Sequence, residues 1–149
     1  MKLGEFLKKE YVFSDIQAST KEKVLSELVN GLGREIPELD AEAALEVLVE
    51  REKLGTTGIG DGIAIPHGKM ETLDKIVLAV GRSESGVDFE SLDFKPCTII
   101  FLVLAPEQVA GMHLRILAHI SRLLKDEEFR KSFMAAGDRE ELWKLLKGA

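Results

Sequence analysis

The sequence predicts an α/β sandwich. Three observations carry that prediction. Helical spacing of apolar residues recurs in the first third of the chain and again in the last third, the run "CTIIFLVLA" from Cys97 to Ala105 is apolar without a break, and the strand-like stretches lie between the helical ones. A continuous β-branched and aromatic run suits a strand covered on both faces, and helices between and around the strands supply the cover. At 149 residues and 45% hydrophobic content, the chain has the size of one ordinary domain, able to bury roughly 68–70% of its unfolded surface. No repeat, low-complexity tract or linker gives a second domain a place to begin, so residues 1–149 read as one unit.

The elements follow in order. Ser19 with Glu22 three residues on forms a capping box; Val24, Leu25, Leu28, Val29 and Leu32 then recur at helical spacing, and Gly31 to Gly33 end the run. Asp40 caps a second helix with Leu45, Leu48 and Val49 on its apolar face, stopping at Gly55. Ile63–Ile65 reads as a short strand, "KIVLAVGRS" from Lys75 to Ser83 as another, and Cys97–Ala105 as the buried one. Met112, Ile116, Leu117, Ile120, Leu123 and Leu124 mark a third helix, Asp126 to Gly137 a shorter one, and Asp138 with Glu141 caps a last one carrying Leu142, Leu145 and Leu146.

Charge and composition remove several classes of function. The net charge is −6, from 26 acidic and 20 basic residues, and the basic ones form no stripe, which argues against a nucleic-acid backbone as partner. The N-terminus "MKLGEFLKKEYVF" lacks the unbroken apolar stretch of a signal peptide, and no run approaches the ~18 apolar residues of a membrane span. Cys97 is the only cysteine, so no internal disulfide can form, and its place in the buried strand suggests a thiol in a reducing compartment. Together these point to a cytoplasmic protein.

Directly after the second helix comes "TTGIGDGIAIPHGKM", Thr56 to Met70, which takes in the short Ile63–Ile65 stretch and has four glycines around His67. A Walker loop would need Gly where Ile63 stands and Ser or Thr where Met70 stands. The dinucleotide fingerprint fails as well, because its third glycine is replaced by Ile63 and the stretch follows a helix rather than a strand. A metal site finds no ligand set: His113 and His119 lie six apart, a net rotation of about 240° on a helix, and no CxxC pair is present. Gly-x-Ser-x-Gly is also absent.

His67 remains. A neutral imidazole is a good nucleophile whose phosphorylated form can pass the group onward. Backbone N–H groups in a glycine-rich turn, with Gly58 among them, can nest phosphoryl oxygens, and the hydroxyls of Thr56 and Thr57 can add donors. The residues alone leave two readings open: this phosphoryl acceptor, or a loop histidine whose glycines serve turn geometry.

The run "REKLGTTGIGDGIAIPHGK", Arg51 to Lys69, resembles the motif of the fructose/mannitol/nitrogen-type enzyme IIA domains of the bacterial phosphotransferase system. The likeness extends to "MHLRILAHISRLL", which is similar to the family's second histidine motif, and the order of elements agrees from about Leu3 to Leu146. The resemblance implies one mixed sheet of about five strands with helices on both faces. It also implies that His67 accepts a phosphoryl group at Nε2 from the phosphorylated histidine phosphocarrier protein and passes it to a cysteine of a sugar-specific IIB domain, without metal, nucleotide or other cofactor. Residue by residue, Arg51 matches the arginine that offsets phosphate charge and His113 the second histidine, which would donate to phosphoryl oxygens or hold His67 in place. Thr57 and Gly58 fall in the substrate-binding part of the motif. His119 matches no functional position and reads as scaffold. Asp61 departs from the pattern, standing where relatives often carry Asn, and would bring a carboxylate toward His67. Within the family some members feed a sugar permease at the membrane and nitrogen-type members control other proteins; with no IIB or IIC segment in it, the sequence reads as a free-standing carrier compatible with either output. A binding module that never takes phosphate is the remaining class, and it would need an inert His67.

Overall fold

The computed structural model describes residues 1–149. One mixed sheet of six strands runs through it: β1 (Val12–Phe13), β2 (Gly58–Gly60), β3 (Ile63–Ala64), β4 (His67–Lys69), β5 (Val77–Val87) and β6 (Cys97–Ala105). Five helices cover it: α1 (Lys21–Glu35), α2 (Ala41–Lys53), α3 (Ala110–Lys125), α4 (Glu127–Ala135) and α5 (Arg139–Lys147). The order across the sheet is β1-β5-β6-β3-β2, with β4 joining β6 further along the same edge as β3. β5 and β6 pair antiparallel at the centre, β1 lies parallel to β5, and both β3 and β4 lie parallel to β6.

The parity of strand residues assigns the helices to faces. On β5, Gly81 lies against Ile16 and against Leu28 of α1. The next residue, Arg82, points the other way and gives its Nη1 to the carbonyls of Phe133 (3.0 Å) and Ala136 at the end of α4. Phe101, opposite Val80 on β6, stacks 6.0 Å from Phe133 on that same side. On β4 the direction of Gly68 leads to Val47 and Leu48 of α2, so its neighbours His67 and Lys69 face α3. Helices therefore lie on both faces, as the resemblance implied. The β6 run is buried at eight of its nine positions, with Thr98 half-buried, as its unbroken apolar sequence required.

Several local expectations are corrected. Ser19 and Glu22 make no capping box: the N-cap of α1 is Thr20, with no side-chain cap bond, because this segment pairs with the loop after β5. The Ser19 carbonyl accepts from Asp88 N at 2.8 Å. Nor do Gly31 and Gly33 end α1, which runs on to Glu35 and stops where Ile36, forced to extended geometry before Pro37, breaks the ladder. Gly31 is a contact position instead; a Cβ there would lie 2.5 Å from Cε1 of Phe13. Asp40 does cap α2, accepting from Ala43 N at 3.1 Å. Asp138 caps α5 by accepting from Glu141 N at 2.9 Å, while the Glu141 carboxylate accepts from Gly137 N rather than closing a full box on Asp138. The strand expected at Lys75–Ser83 becomes the eleven-residue β5, with a register shift between Arg82 and Val87, and the one expected at Ile63–Ile65 ends at Ala64.

The largest correction concerns residues 56–70, which carry three short strands where only the one at Ile63–Ile65 was expected within a loop. Gly60 pairs with Ile63 across β2 and β3, leaving Asp61-Gly62 as a two-residue turn with φ of +57° and +78°. Positive φ at both central positions is what a tight hairpin matched to strand twist demands, and Asp-Gly or Asn-Gly supplies it.

Candidate functional site

His67 opens β4 and pairs with Val103 of β6. Its position follows from Gly68, where a Cβ would lie 2.5 Å from Val47 Cγ1. Only glycine allows β4 to press this closely on α2, and strand parity then turns the His67 ring toward α3. There it meets His113, ring centroids 5.8 Å apart and planes at 75°. Two hollows adjoin at His67. One is lined by Thr56, Thr57, Ile59 and Leu117, the other by Leu54, Lys69 and His113, and Arg51 borders both.

The hydrogen bonds divide the two imidazole nitrogens of His67. Nδ1 lies 2.9 Å from the Ile65 carbonyl, and a carbonyl can only accept, so the proton is assigned to Nδ1. Nε2 makes no hydrogen bond within the protein and is not sealed from the hollow. The same contact pattern leaves the lone pair on Nε2. His113 is buried, at 4% exposure, and its Nε2 has no partner. Burial chiefly, then the proximity of His67 and Lys69, pushes its pKa below the ordinary histidine value, which keeps the ring neutral at pH 7. Arg51, in the last turn of α2, gives Nη1 to the Gly55 carbonyl at 2.8 Å; its other guanidinium N–H groups carry no bond within the protein.

Thr57 and Gly58 sit differently from the free donors that the sequence suggested. Thr57 gives its N–H (2.9 Å) and its hydroxyl (2.5 Å) to the two carboxylate oxygens of Glu52. The Gly58 N–H goes to Thr56 Oγ1 at 3.1 Å. Thr57 is therefore wall, with its donors spent inside the fold. Asp61 is exposed at the hairpin tip and borders neither hollow around His67. His119 lies on α3 outside both hollows as well. Cys97 is fully buried with its Sγ 3.1 Å from Ser91 Oγ, and burial raises its thiol pKa, so it offers no nucleophile. Sequence reasoning missed Glu52 and Lys21, an ion pair of 3.0 Å whose side chains are 5% and 13% exposed. No group of three or more His, Cys, Asp or Glu side chains converges anywhere, and no helix is long and apolar enough to cross a membrane.

Arg51 and His67 thus border both hollows of this α/β domain, with His113 in one of them. Residues 5–149 match the family model described as phosphoenolpyruvate-dependent sugar phosphotransferase system, EIIA 2, and the chain belongs to that family. It is 38% identical over 146 residues to a nitrogen regulatory protein of Bradyrhizobium diazoefficiens, covering 98% of this chain and 95% of that one. It is equally 38% identical over 146 residues to a fructose-specific EIIABC component of Bacillus subtilis, of which it spans only 23%. The crystal structure of the nitrogen regulatory protein IIA-Ntr from Neisseria meningitidis superposes with a TM-score of 0.89 at 33% identity, over 97% of this chain and 98% of the other. A mannitol enzyme IIA of Escherichia coli, solved in complex with phosphorylated enzyme IIB, shares the fold with a TM-score of 0.77 at 23% identity, over 95% of this chain and 98% of that one.

Proposed function

We propose that this protein is a phosphoryl carrier whose Nε2 of His67 takes the group from a phosphohistidine of the histidine phosphocarrier protein and yields it to a downstream acceptor. The observation that carries the reading is the hydrogen bond from His67 Nδ1 to the Ile65 carbonyl. It fixes the tautomer with the lone pair on the nitrogen facing the hollow. In the transfer, the P–N bond to the donor imidazole breaks as a P–N bond to Nε2 forms. The transition state is loose, with charge spread over three equatorial oxygens, so placed donors matter more than covalent help. The free N–H groups of Arg51 and the unpartnered ring of His113 border the hollow in which that charge would develop. Loss of the group to the acceptor reverses the same steps.

The surroundings favour a macromolecular partner. Leu54 beside the hollow is 84% exposed, Leu114 on α3 is 69% exposed, and Ile59 is 48% exposed. A protein surface laid over such apolar side chains would exclude water from the labile P–N bond. Regulation is the output favoured here, because nitrogen regulatory proteins recur among the relatives and the IIA-Ntr structure superposes better than the mannitol enzyme IIA does. Transfer to a cysteine of a IIB domain, in sugar uptake at a membrane permease, is the second reading; the fructose-specific relative and the mannitol IIA–IIB complex support it.

Incubation with phosphorylated phosphocarrier protein should add one phosphoryl group, stable in base and labile in acid, absent from His67→Ala and unaffected by exhaustive chelation. Label persisting in His67→Ala moves the chemistry to another residue, and no label on the native protein leaves a binding module. Offered to purified IIB domains, the labelled protein should keep its phosphate under the regulatory reading; rapid loss to a IIB cysteine decides for sugar transport.

A further inference from the structure

We propose that Glu52 is a positioning residue for the His67 site: its carboxylate fixes the segment Gly55–Gly58, from which both Arg51 and His67 take their hydrogen-bonded orientation. The inference rests on His67 being the phosphoryl acceptor. Glu52 Oε1 accepts from Thr57 N at 2.9 Å and lies 3.0 Å from Lys21 Nζ, and Oε2 accepts from the Thr57 hydroxyl at 2.5 Å. Lys21 also donates to Thr56 Oγ1 at 3.2 Å and sits 5.1 Å above the Phe89 ring. Thr56 in turn donates to the Phe89 carbonyl at 3.2 Å. The segment is thus held from α1, from α2 and from the loop after β5.

Two routes lead from it to the reacting groups. The Thr57 carbonyl accepts from Ile65 N at 3.0 Å, and the carbonyl of that same Ile65 holds His67 Nδ1. The Gly55 carbonyl, next to Thr56, holds Arg51 Nη1. Each route consists of bonded groups in sequence, so a shift of Thr57 is passed to the imidazole and a shift of Gly55 to the guanidinium. A buried ion pair seldom adds more stability than an apolar pair of the same shape would, whereas orientation within a fraction of an ångström decides transfer rates. Stability alone therefore gives no reason for a carboxylate at position 52, and geometry does.

The test uses Glu52→Gln in the full chain, which keeps the side-chain shape, removes the charge facing Lys21 and cannot accept both Thr57 donors as the carboxylate does. The imidazole ¹⁵N shifts of His67 report its tautomer without any transfer, and single-turnover acceptance from phosphorylated phosphocarrier protein reports the rate. We expect the ¹⁵N shifts to move from the Nδ1–H form toward a tautomer mixture. The rate at saturating donor should fall roughly tenfold to a hundredfold, with the half-saturating donor concentration within about twofold of native. Thr57→Val, which removes only the hydroxyl donor, should shift both readouts in the same direction and by less, and serves if Glu52→Gln fails to fold. Unchanged ¹⁵N shifts in a folded variant overturn the proposal, whether the rate is native or lost wholly through donor binding. If the native protein accepts no phosphate on His67, the carrier reading falls, while the tautomer measurement still reports on Glu52.

Discussion

Two polar regions meet at Arg51 and are built on opposite rules. Beneath the hairpin, Glu52, Lys21, Thr56 and Thr57 spend their donors and acceptors on one another and on nearby backbone. Across the hollow, His67 Nε2 and His113 Nε2 have no partner in the protein, the latter fully buried. A buried polar atom without a partner costs about 1–3 kcal/mol. The fold tolerates that at His113 and also at His119, outside both hollows, but nowhere in the network beneath Thr57. The difference separates what holds the site still from what is left for a ligand to complete, and it shows which residues should trade stability against transfer.

His113 gives the largest expected effect. Because its ring is buried, truncation to Ala would mix a cavity with the lost donor, so substitutions of similar volume divide the roles better. His113→Leu should slow phosphoryl acceptance by roughly 10²–10³, the cost of one donor removed from a charge-stabilising site. The same variant should melt at a higher temperature than native, since an orphaned polar atom gives way to an apolar group, a gain of about 1 kcal/mol or more. His113→Gln should recover part of the rate. Opposite signs in rate and melting are the mark of an atom kept unsatisfied for function. A His113→Leu that melts lower and transfers normally would make the residue scaffold and erase the contrast between the two regions.

Two glycines with the same clash give the next test. A Cβ at Gly31 meets Phe13 at 2.5 Å, and one at Gly68 meets Val47 at 2.5 Å. Overpacking of this kind costs about 1–3 kcal/mol, so Gly31→Ala and Gly68→Ala should lower the urea midpoint by similar amounts. Their effects on transfer should differ. Gly31 packs on β1, at the far edge of the sheet from β3 and β4, whereas Gly68 lies beside His67 against stiff, β-branched Val47. Gly68→Ala should slow transfer in the folded protein and Gly31→Ala should not. Equal rates in the two variants would show that the seat of β4 on α2 does not set the orientation of His67.

How much of this was legible in the sequence depends on the range of the forces involved. The buried strand Cys97–Ala105 was readable to its exact bounds, because nine consecutive residues carry one message. Asp40 and Asp138 were readable as caps because a cap is decided within three residues. Ser19 failed under the same rule, since pairing with Asp88, far along the chain, claims its backbone. His67, Arg51 and His113 were named through a long motif and its family likeness, but the strand on which His67 sits was not. Its three residues, His-Gly-Lys, have no strand propensity, and β6 imposes the pairing. Asp61-Gly62 is a local hairpin signal, legible from the two residues alone. The Lys21–Glu52 pair had no signal at all: two charges 31 positions apart look like solvated surface until α1 and α2 pack together.

The smallest expected effect is the pH dependence of stability, and it tests whether His113 is as isolated as its missing partner suggests. Burial and the neighbouring His67 and Lys69 lower its folded-state pKa, while the unfolded chain takes up the proton near the ordinary value of about 6.5. Below that pH and above the lowered value, the unfolded state binds more protons, so stability falls as pH falls; above 6.5 the group contributes no slope. The slope cannot exceed one proton, about 1.4 kcal/mol per pH unit. Asp93, held low chiefly by the N–H of Lys95, titrates below this window. Denaturant midpoints between pH 8 and pH 5 should decline below 6.5 in the native protein and stay flatter in His113→Leu. Phosphorylation should diminish that decline. A dianion on His67 would favour the protonated form of His113, so the phosphorylated protein should gain stability relative to the unphosphorylated one as pH falls through the same window. Parallel curves for the two forms would mean that His113 does not face the phosphoryl group, and its unpaired nitrogen would then belong to the scaffold rather than to the reaction.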